Sequence, residues 1–213
     1  MINIQTLRKE YTKEALDISI VHSSPIIQFK IWFEEALKAE VNETNAMVLS
    51  TISSENKPSA RVVLLKGFEE AGFSFYTNYE SKKGRELAQN PHACLTFFWP
   101  ELERQVRIEG VIAKVSKKES DAYFAVRPKG SQIGAWASPQ STVIASRDIL
   151  VQNQEALENK YAHKEVERPE HWGGYVLKPN LIEFWQGRHS RLHDRICYAL
   201  QENSAWKIER LAP

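Results

Sequence analysis

Three residues near the C-terminus, Arg191, His193 and Arg195, alternate with Leu192 and Asp194. Alternate side chains of an extended strand point to the same face, so this spacing would place two guanidinium groups and an imidazole side by side. Such positive groups repel one another unless an anion lies between them. The segment therefore indicates an anion-binding strand, and a solvated edge strand is the alternative that the segment alone leaves open.

A second candidate anion site lies on a predicted helix in the middle of the chain. Tyr123 and Arg127 are four residues apart, a spacing that stacks a phenol and a guanidinium on one helical face. Ser131 follows in a predicted loop. A phosphate dianion is bound by donors of these kinds, and a guanidinium can pair with it through two parallel hydrogen bonds. An exposed helix face with a Tyr–Arg stack would show the same pattern.

Positive charge also occurs in two places where it is unusual. Lys82 and Lys83 follow Ser81, the predicted N-cap of a short helix, although a helix N-terminus attracts anions rather than cations. The segment from Arg61 to Lys66 of another predicted strand has a cationic residue at each end and apolar residues between them. A second phosphate group would explain both segments. Solvated lysines, and a lysine that extends from the strand end to water, are the structural alternatives.

Neutral donors, acceptors and one large ring are found between these segments: Tyr76, Thr77, Gln105, Gln140, Ser141 and Trp185. Gln105 lies in the middle of a predicted strand, where a buried amide needs a hydrogen-bond partner. A flat heteroaromatic ring edged with carbonyls and nitrogens would supply one. Each of these residues taken singly is more typical of a structural role.

Composition and charge restrict the class of protein. The 213 residues and 42% hydrophobic content fit one compact domain, expected at 21–213 after a mobile N-terminal arm at 1–20. The 28 Lys and Arg nearly balance the 27 Asp and Glu, which argues against nucleic-acid binding. No apolar run could span a membrane or form a signal core, so we expect a cytoplasmic protein. Two distant cysteines and the lack of an HExxH pattern predict neither a disulfide nor a metal site.

The elements that must position these residues are mostly strands in succession. Strands are predicted at 46–53, 59–66, 73–77, 93–99, 104–115, 173–177, 181–186, 196–200 and 205–210. Helices are predicted at 24–41, 81–89, 116–128 and 146–161, and a Gly/Ser/Pro-rich loop at 129–141. There is no regular βαβ alternation, and no GxGxxG follows a strand, so a Rossmann domain is disfavoured. A mainly antiparallel β-barrel with peripheral helices, an α+β fold, is predicted instead.

Taken together, these segments resemble the pyridoxine/pyridoxamine 5′-phosphate oxidase family. The matching stretches span nearly the whole chain in order, among them RVVLLKGF at 61–68, SKKGRELAQNP at 81–91, RPKGSQIGAWAS at 127–138 and RLHDR at 191–195. The resemblance implies an FMN-binding split β-barrel that works as a homodimer, with each active site built from both subunits. It also implies oxidation of pyridoxamine or pyridoxine 5′-phosphate to pyridoxal 5′-phosphate by O₂, which gives H₂O₂ and, from the amine, ammonia.

The resemblance further assigns roles to single residues. The residues implied to contact FMN are Arg61, Val62, Val63, Leu64, Leu65, Lys66, Tyr76, Thr77, Lys82, Lys83, Gln105, Gln140, Ser141, Trp185 and Arg195. The residues implied to contact the substrate are Arg8, Tyr11, Lys66, Tyr123, Arg127, Ser131, Arg191 and His193, and catalysis is assigned to the last two. The chain departs from the family at Lys82, a position that is often Arg, and at Glu43, where a related sequence has Asp and whose role is open.

Two other functions fit part of this pattern. A flavin reductase or a different flavin-dependent oxidase would share the FMN residues but would not need the phosphate-binding set of Tyr123, Arg127 and Ser131. A non-catalytic carrier of flavin or pyridoxal phosphate would not need Arg191 and His193. Retention of all five residues favours oxidation of a phosphorylated pyridine. A nucleic-acid-binding module has the lysine and arginine clusters but lacks net positive charge.

Overall fold

The computed structural model describes residues 10–213 as one curled antiparallel sheet with helices packed around it. Within this range the helices are α1 (Pro25–Lys38), α2 (Lys82–Gln89), α3 (Lys117–Ala125), α4 (Lys129–Ala137) and α5 (Asp148–Lys160). The strands are β1 (Ala46–Ile52), β2 (Pro58–Leu64), β3 (Gly67–Glu69), β4 (Gly72–Asn78), β5 (His92–Trp99), β6 (Arg104–Lys114), β7 (Trp172–Gln186), β8 (Asp194–Leu200) and β9 (Trp206–Leu211). This architecture confirms the predicted mainly β fold with peripheral helices.

Strand β7 is the central element of the sheet because it pairs with three other strands. On one edge it pairs with β6 over most of its length. On the other edge it pairs first with β4, as far as Leu177, and then with β8, from Leu181 onwards. The order β2-β1-β5-β6-β7-β4-β3 completes the main path, and β9 extends from β8. The Lys66 N–H after β2 donates to the Ser74 O of β4 at 2.8 Å, so the sheet curls into a partial barrel.

Aromatic side chains fill the interior of this curled sheet. Helix α1 begins at Pro25, and the Ser24 Oγ accepts a backbone N–H of its first turn, as expected for an N-cap. Phe29 of this helix is fully buried, and its ring centroid lies 4.9 Å from that of Phe73 and 5.2 Å from that of Phe97. Such aromatic pairs add about 0.5–1.5 kcal/mol each beyond the burial of apolar area. Helix α1 is therefore an integral part of the core.

The prediction of a loop at 129–141 is wrong, because the first nine of these residues form helix α4. Gly130 and Gly134 lower the intrinsic stability of this helix by about 1 kcal/mol each relative to alanine. Ile133 is nevertheless buried in a small cluster with Phe124 and Trp172. This tertiary packing offsets the weak local propensity, and it places Ser131 on a helix rather than in a loop.

The two strands predicted at 173–177 and 181–186 form a single strand, β7. Pro179 interrupts the sequence pattern because it has no N–H to donate to a ladder. It is tolerated because β7 lacks a partner on one edge between Leu177 and Leu181, and because a β-bulge shifts the register of β6 opposite it. The short strand β3 was not predicted.

Residues 10–20 lie between the first described position and helix α1. Leu16 is buried in the core, and its N–H donates to the Asp194 Oδ2 at 3.1 Å. The assignment of Arg8 to the substrate falls outside the described residues. The mobility of residues 1–20 therefore stays a prediction.

Within the described part of the chain, no helix is long and apolar enough to cross a membrane. Among the same residues, no three His, Cys, Asp or Glu side chains gather closely enough to hold a metal ion. Cys94 and Cys197 are free thiols.

Candidate active site

A cavity of about 500 Å³ brings together most of the residues that the sequence assigned to phosphate and ring binding. Strands β2 and β4, the start of α2, and helices α3 and α4 all contribute to its wall. The residues that line it are Arg61, Val62, Val63, Leu64, Lys66, Tyr76, Thr77, Lys83, Tyr123, Arg127, Pro128, Ser131, Gln140 and Trp172. All but Pro128 and Trp172 belong to the predicted sets. We call this group the cavity cluster.

Lys83 occupies one part of the cavity wall. Helix α2 begins where the Ser81 Oγ accepts the Gly84 N–H at 3.3 Å, and this cap places Lys83 in the first turn. The Lys83 Nζ donates to the Gln140 Oε1 at 2.7 Å and to the Thr77 Oγ1 at 3.1 Å. Burial lowers the pKa of Lys83 to about 8. An anion bound beside this ammonium would favour its charged form, so the geometry suits a phosphate.

Arg61 adds positive charge to the same wall, but protein acceptors occupy its guanidinium. The Arg61 Nη2 donates to the Ser59 Oγ at 2.6 Å and to the Glu86 Oε2 at 3.1 Å. The Arg61 Nη1 donates to the Thr51 Oγ1 at 2.6 Å. Arg61 is therefore held rigidly, and the carboxylate of Glu86 offsets part of the charge that it presents to the cavity.

Arg127 lies among aromatic rings in another part of the cavity. Its guanidinium carbon is 4.4 Å from the ring centroid of Trp172. The rings of Tyr76 and Tyr123 stack beside it with their centroids 3.9 Å apart. Burial lowers the pKa of Arg127, and its buried Nη1 has no hydrogen-bond partner anywhere in residues 10–213. An unpaired buried guanidinium nitrogen is costly, so this position calls for an anionic partner.

The sequence Trp172-Gly173-Gly174 allows two tyrosine rings, those of Tyr76 and Tyr79, to approach strand β7 closely. A Cβ at Gly174 would lie 2.7 Å from the Tyr76 Cε1, and a Cβ at Gly173 would lie 2.2 Å from the Tyr79 hydroxyl oxygen. Only glycine permits these contacts. Trp172 was not among the predicted site residues, although a tryptophan directly before two strand glycines was the available signal.

Gln105, Trp185 and Arg195 form a second group, which lies on the outer face of the sheet. They are directly opposite one another in the β6, β7 and β8 registers, and their chain neighbours point into the core. The ring of His193 is 4.6 Å from that of Trp185. The ring of Tyr11 is 5.7 Å from Trp185 and 5.8 Å from His193. We call this group the Trp185 cluster.

The expectation that Arg191, His193 and Arg195 share one face of an extended strand is wrong. Strand β8 begins only at Asp194, and residues 189–191 form a 3₁₀ turn two residues before it. Ser190 and Arg191 have φ values of 56° and 62°, in the left-handed region that non-glycine residues seldom adopt. Backbone strain of this kind is common at functional sites.

His193 and Arg195 have different partners. The His193 Nδ1 accepts the Arg188 N–H at 3.0 Å, so the proton of the neutral ring resides on Nε2. Burial and the nearby Arg191 lower the pKa of His193, which favours the neutral ring. The Arg195 Nε and Nη2 donate to the two oxygens of Glu183, at 3.1 and 2.9 Å. The carboxylate of Glu183 therefore balances the charge of Arg195 within the protein itself.

Three other assigned residues, and Glu43, whose role is open, lie outside both clusters. Leu65 is buried in the core, so only its backbone is available to a ligand in the cavity. Lys82 is exposed, and its Nζ lies 3.9 Å from the Glu86 Oε1. Ser141 follows Gln140 with a φ of 68° and is exposed. Glu43 is exposed in the turn before β1.

The two clusters lie far apart within one chain. Tyr76 is opposite Gly174 near the start of β7, whereas Trp185 is near its end. The eleven residue steps from Gly174 to Trp185 correspond to about 36 Å measured along the strand. One small ligand therefore does not contact both clusters of the same chain.

Comparison with known proteins gives matches over the described fold. Residues 33–161 match the family model described as pyridoxamine 5′-phosphate oxidase. Residues 172–213 match the model described as the pyridoxine 5′-phosphate oxidase C-terminal dimerisation region.

Two similar proteins are both named pyridoxine/pyridoxamine 5′-phosphate oxidase. The one from Acaryochloris marina (strain MBIC 11017) is 58% identical over 211 residues, which cover 99% of this chain and 96% of that protein. The one from Cyanothece sp. (strain PCC 7425 / ATCC 29141) is 56% identical over 212 residues, which cover 100% of this chain and 99% of that protein.

Two solved structures share the fold. PhzG from Burkholderia lata 383, in complex with tetrahydrophenazine-1-carboxylic acid, has a TM-score of 0.89 and 30% identity, over 94% of this chain and 99% of that one. A pyridoxamine 5′-phosphate oxidase-related, FMN-binding protein from Nostoc punctiforme has a TM-score of 0.72 and 17% identity, over 91% of this chain and 100% of that one. These likenesses confirm the predicted split-barrel fold.

Proposed function

The chain belongs to the pyridoxamine 5′-phosphate oxidase family, whose members are oxidoreductases, and we propose that it oxidises pyridoxamine and pyridoxine 5′-phosphate to pyridoxal 5′-phosphate with FMN as cofactor. The observation that carries this proposal is the unpaired, buried Nη1 of Arg127 beside the stacked rings of Trp172 and Tyr123. An aromatic wall with one unsatisfied guanidinium nitrogen is suited to a ring that carries a phosphate.

The cavity cluster provides donors for two phosphate groups. Lys83, Thr77 and the fixed charge of Arg61 surround one position, which we assign to the phosphate of FMN. Arg127 and Ser131, together with Tyr123 and Lys66, surround the other, which we assign to the phosphate of the substrate. The N-terminus of α4 has no side-chain cap, so the N–H groups of its first two residues, Lys129 and Gly130, also favour an anion near Ser131.

When bound, FMN would supply the redox chemistry by accepting a hydride from the substrate and passing the electrons to O₂, with H₂O₂ as product. The protein binds and orients the two partners. Phosphate anchoring at Arg127 would fix the pyridine ring relative to the cofactor, which lowers the entropic part of the barrier. When the substrate is the amine, its oxidation would give an imine, and water would hydrolyse this imine to the aldehyde and ammonia.

His193 would act on the substrate as a hydrogen-bond donor. Its Nδ1 is occupied by the Arg188 N–H, so the Nε2–H is the group that remains for a ligand. The lowered pKa of His193 keeps this ring neutral near pH 7. Donation to an oxygen substituent of the pyridine fits this state better than proton removal does. Arg191 carries its charge beside His193 and would position the reacting substituent.

We assign the two clusters of each active site to different subunits of a homodimer. The separation of Tyr76 from Trp185 along β7 supports this assignment, as does the match of residues 172–213 to a dimerisation region. A twofold axis would bring the cavity cluster of one chain next to the Trp185 cluster of its partner, and the dimer would therefore have two equivalent active sites.

The oxidase proposal is tested by adding pyridoxamine 5′-phosphate to the purified, FMN-loaded protein and measuring peroxide and aldehyde. Equal amounts of both products are expected. Bound FMN without peroxide would favour a carrier. Similar rates of peroxide release with pyridoxamine 5′-phosphate and with unphosphorylated pyridoxamine would favour a different flavin-dependent oxidase.

The dimer assignment is tested by mixing two variants, Arg127→Met and Arg191→Ala, after mild denaturation and assaying below the wild-type KM, where each variant alone should have about a hundredth of the wild-type activity or less. Random reassociation makes half of the dimers mixed, and each mixed dimer has one intact site, so about a quarter of the wild-type activity is expected. No recovery of activity would contradict a site shared between subunits.

A further inference from the structure

We propose that Glu103 is a positioning residue for the substrate side of the active site. Its carboxylate holds residues 12 and 13 against the sheet and so fixes the ring of Tyr11 beside Trp185 and His193. The effect on catalysis rests on the proposed function, whereas the structural anchoring of Tyr11 does not.

The carboxylate of Glu103 is bound by backbone groups of the N-terminal segment. The Glu103 Oε2 accepts the Thr12 N–H at 2.8 Å and the Lys13 N–H at 3.2 Å. The exposed fraction of Glu103 is only 2%. No Lys, Arg or His of residues 10–213 forms an ion pair with it. A buried carboxylate with no cation beside it among these described residues needs hydrogen-bond donors, and the two N–H groups supply them.

Glu103 is itself held in a fixed place. It lies in the turn between β5 and β6 with a φ of 56°, a conformation that disfavours side-chain-bearing residues. Its backbone oxygen accepts the Gly187 N–H at 2.8 Å and the Gln186 Nε2–H at 3.3 Å. The residue therefore joins the β5–β6 turn, the end of β7 and the N-terminal segment at one point.

Tyr11 directly precedes the anchored residues and fits a surface shaped for it. A Cβ at Gly187 would lie 2.7 Å from the Tyr11 Cγ, so the close approach of this ring requires glycine. The ring meets those of Trp185 and His193 edge-on. Contacts of Glu10 with His189 and of the Leu16 N–H with Asp194 are separate from this anchor. Loss of the Glu103 hydrogen bonds would therefore loosen Tyr11 without releasing the rest of the segment.

The anchoring is tested by amide hydrogen exchange in the Glu103→Gln variant of the full chain. Gln keeps the size of the side chain but removes its charge, and hydrogen bonds to charged groups are the stronger ones. We expect exchange at Thr12 and Lys13 to become roughly ten- to a hundredfold faster, with Leu16 unchanged. The matched control is Glu101→Gln, which removes an exposed charge from the same turn. Unchanged exchange in Glu103→Gln would overturn the proposal.

The functional part is tested by a double-mutant cycle in the FMN-loaded enzyme. Glu103→Gln should raise the KM for pyridoxamine 5′-phosphate about tenfold and change kcat less, because substrate contacts of Tyr11 are lost in ground and transition states alike. In the Tyr11→Ala background the same substitution should add no further change. Additive effects would overturn the proposal, since Glu103 would then act by another route.

The two proposals fail in distinguishable ways. A wild-type enzyme that does not oxidise pyridoxamine 5′-phosphate would refute the proposed function, and the exchange experiment would still decide whether Glu103 anchors Tyr11. An active wild-type enzyme with an unaffected Glu103→Gln variant would refute the positioning role alone. Melting temperatures of both Gln variants verify that the fold is retained.

Discussion

Arg127→Met is expected to weaken binding of the phosphorylated substrate while leaving the fold intact. Methionine retains a flexible, polarisable side chain that can pack on the ring of Trp172. It removes the guanidinium whose buried Nη1 is unpaired in residues 10–213. The loss of a cation–π contact with Trp172 and the removal of an unsatisfied buried donor oppose each other. We therefore expect the free energy of unfolding to change by less than about 1 kcal/mol.

The effect on substrate binding is much larger. Hydrogen bonds to charged groups contribute about 1.5–3 kcal/mol each, and a guanidinium can make two of them to one phosphate. Arg127 is only half-buried, so solvent screening favours the lower part of this range. A loss of about 3–4 kcal/mol corresponds to an increase in KM of about two to three orders of magnitude. Because the phosphate does not react, kcat should change little.

The assay compares pyridoxamine 5′-phosphate with pyridoxamine, using peroxide release for both. Arg127→Met should lower kcat/KM for the phosphate ester and leave that for the unphosphorylated amine unchanged. Lys118→Met on the exposed face of α3 is the control for the change in net charge. An equal loss with both substrates, or a fall in kcat at constant KM, would refute the assignment of Arg127 to the substrate phosphate.

Three further substitutions separate the roles of the remaining residues. Arg191→Ala should lower kcat about a hundredfold through misplacement of the reacting group, with FMN still bound on gel filtration; wild-type turnover would remove its assigned role. Burial lowers the pKa of Lys83 to about 8, so in the protein without FMN this lysine loses its proton as the pH rises above that value. The FMN dissociation constant should therefore increase above about pH 8 by up to about tenfold per pH unit. Fluorescence titrations should show that Lys83→Met abolishes this dependence and that Lys82→Met, on an exposed side chain, preserves it. Glu183→Gln should weaken FMN binding about tenfold by loosening the paired guanidinium of Arg195, and an unchanged dissociation constant would argue against that role.

The sequence predicted helix starts well because their signals are local. Ser24, Ser81 and Ser116 each accept a backbone N–H of the helix that follows, within three residues along the chain. Helix α4 was missed because its stability depends on the burial of Ile133 against distant residues. The continuity of β7 was missed because Pro179 is tolerated only by the arrangement of its neighbouring strands.

Most residues that line the cavity could be predicted as site candidates from the sequence, but the acidic residues that hold neighbouring groups in place could not. Arg61, Arg127 and Lys83 could be identified as anion-binding candidates from their positions in predicted elements. The carboxylates that hold other groups in place, Glu86 and Glu103, act over 25 and 91 residues of sequence respectively. Hydrogen bonds between such distant residues leave no periodic signal, and the left-handed backbone of the 189–191 turn leaves none either.

The length of β7 explains why two copies of the chain would be needed. The strand is rigid because it is paired on both edges for most of its length, so its ends, marked by Gly174 and Trp185, keep a fixed separation. A twofold axis beside the middle of the strand would reverse its direction in the partner and bring opposite ends together. The cavity cluster of one chain would then meet the Trp185 cluster of the other at two equivalent sites. Tyr11, fixed by Glu103 on the Trp185 cluster, would thereby reach the site that contains the partner's cavity cluster.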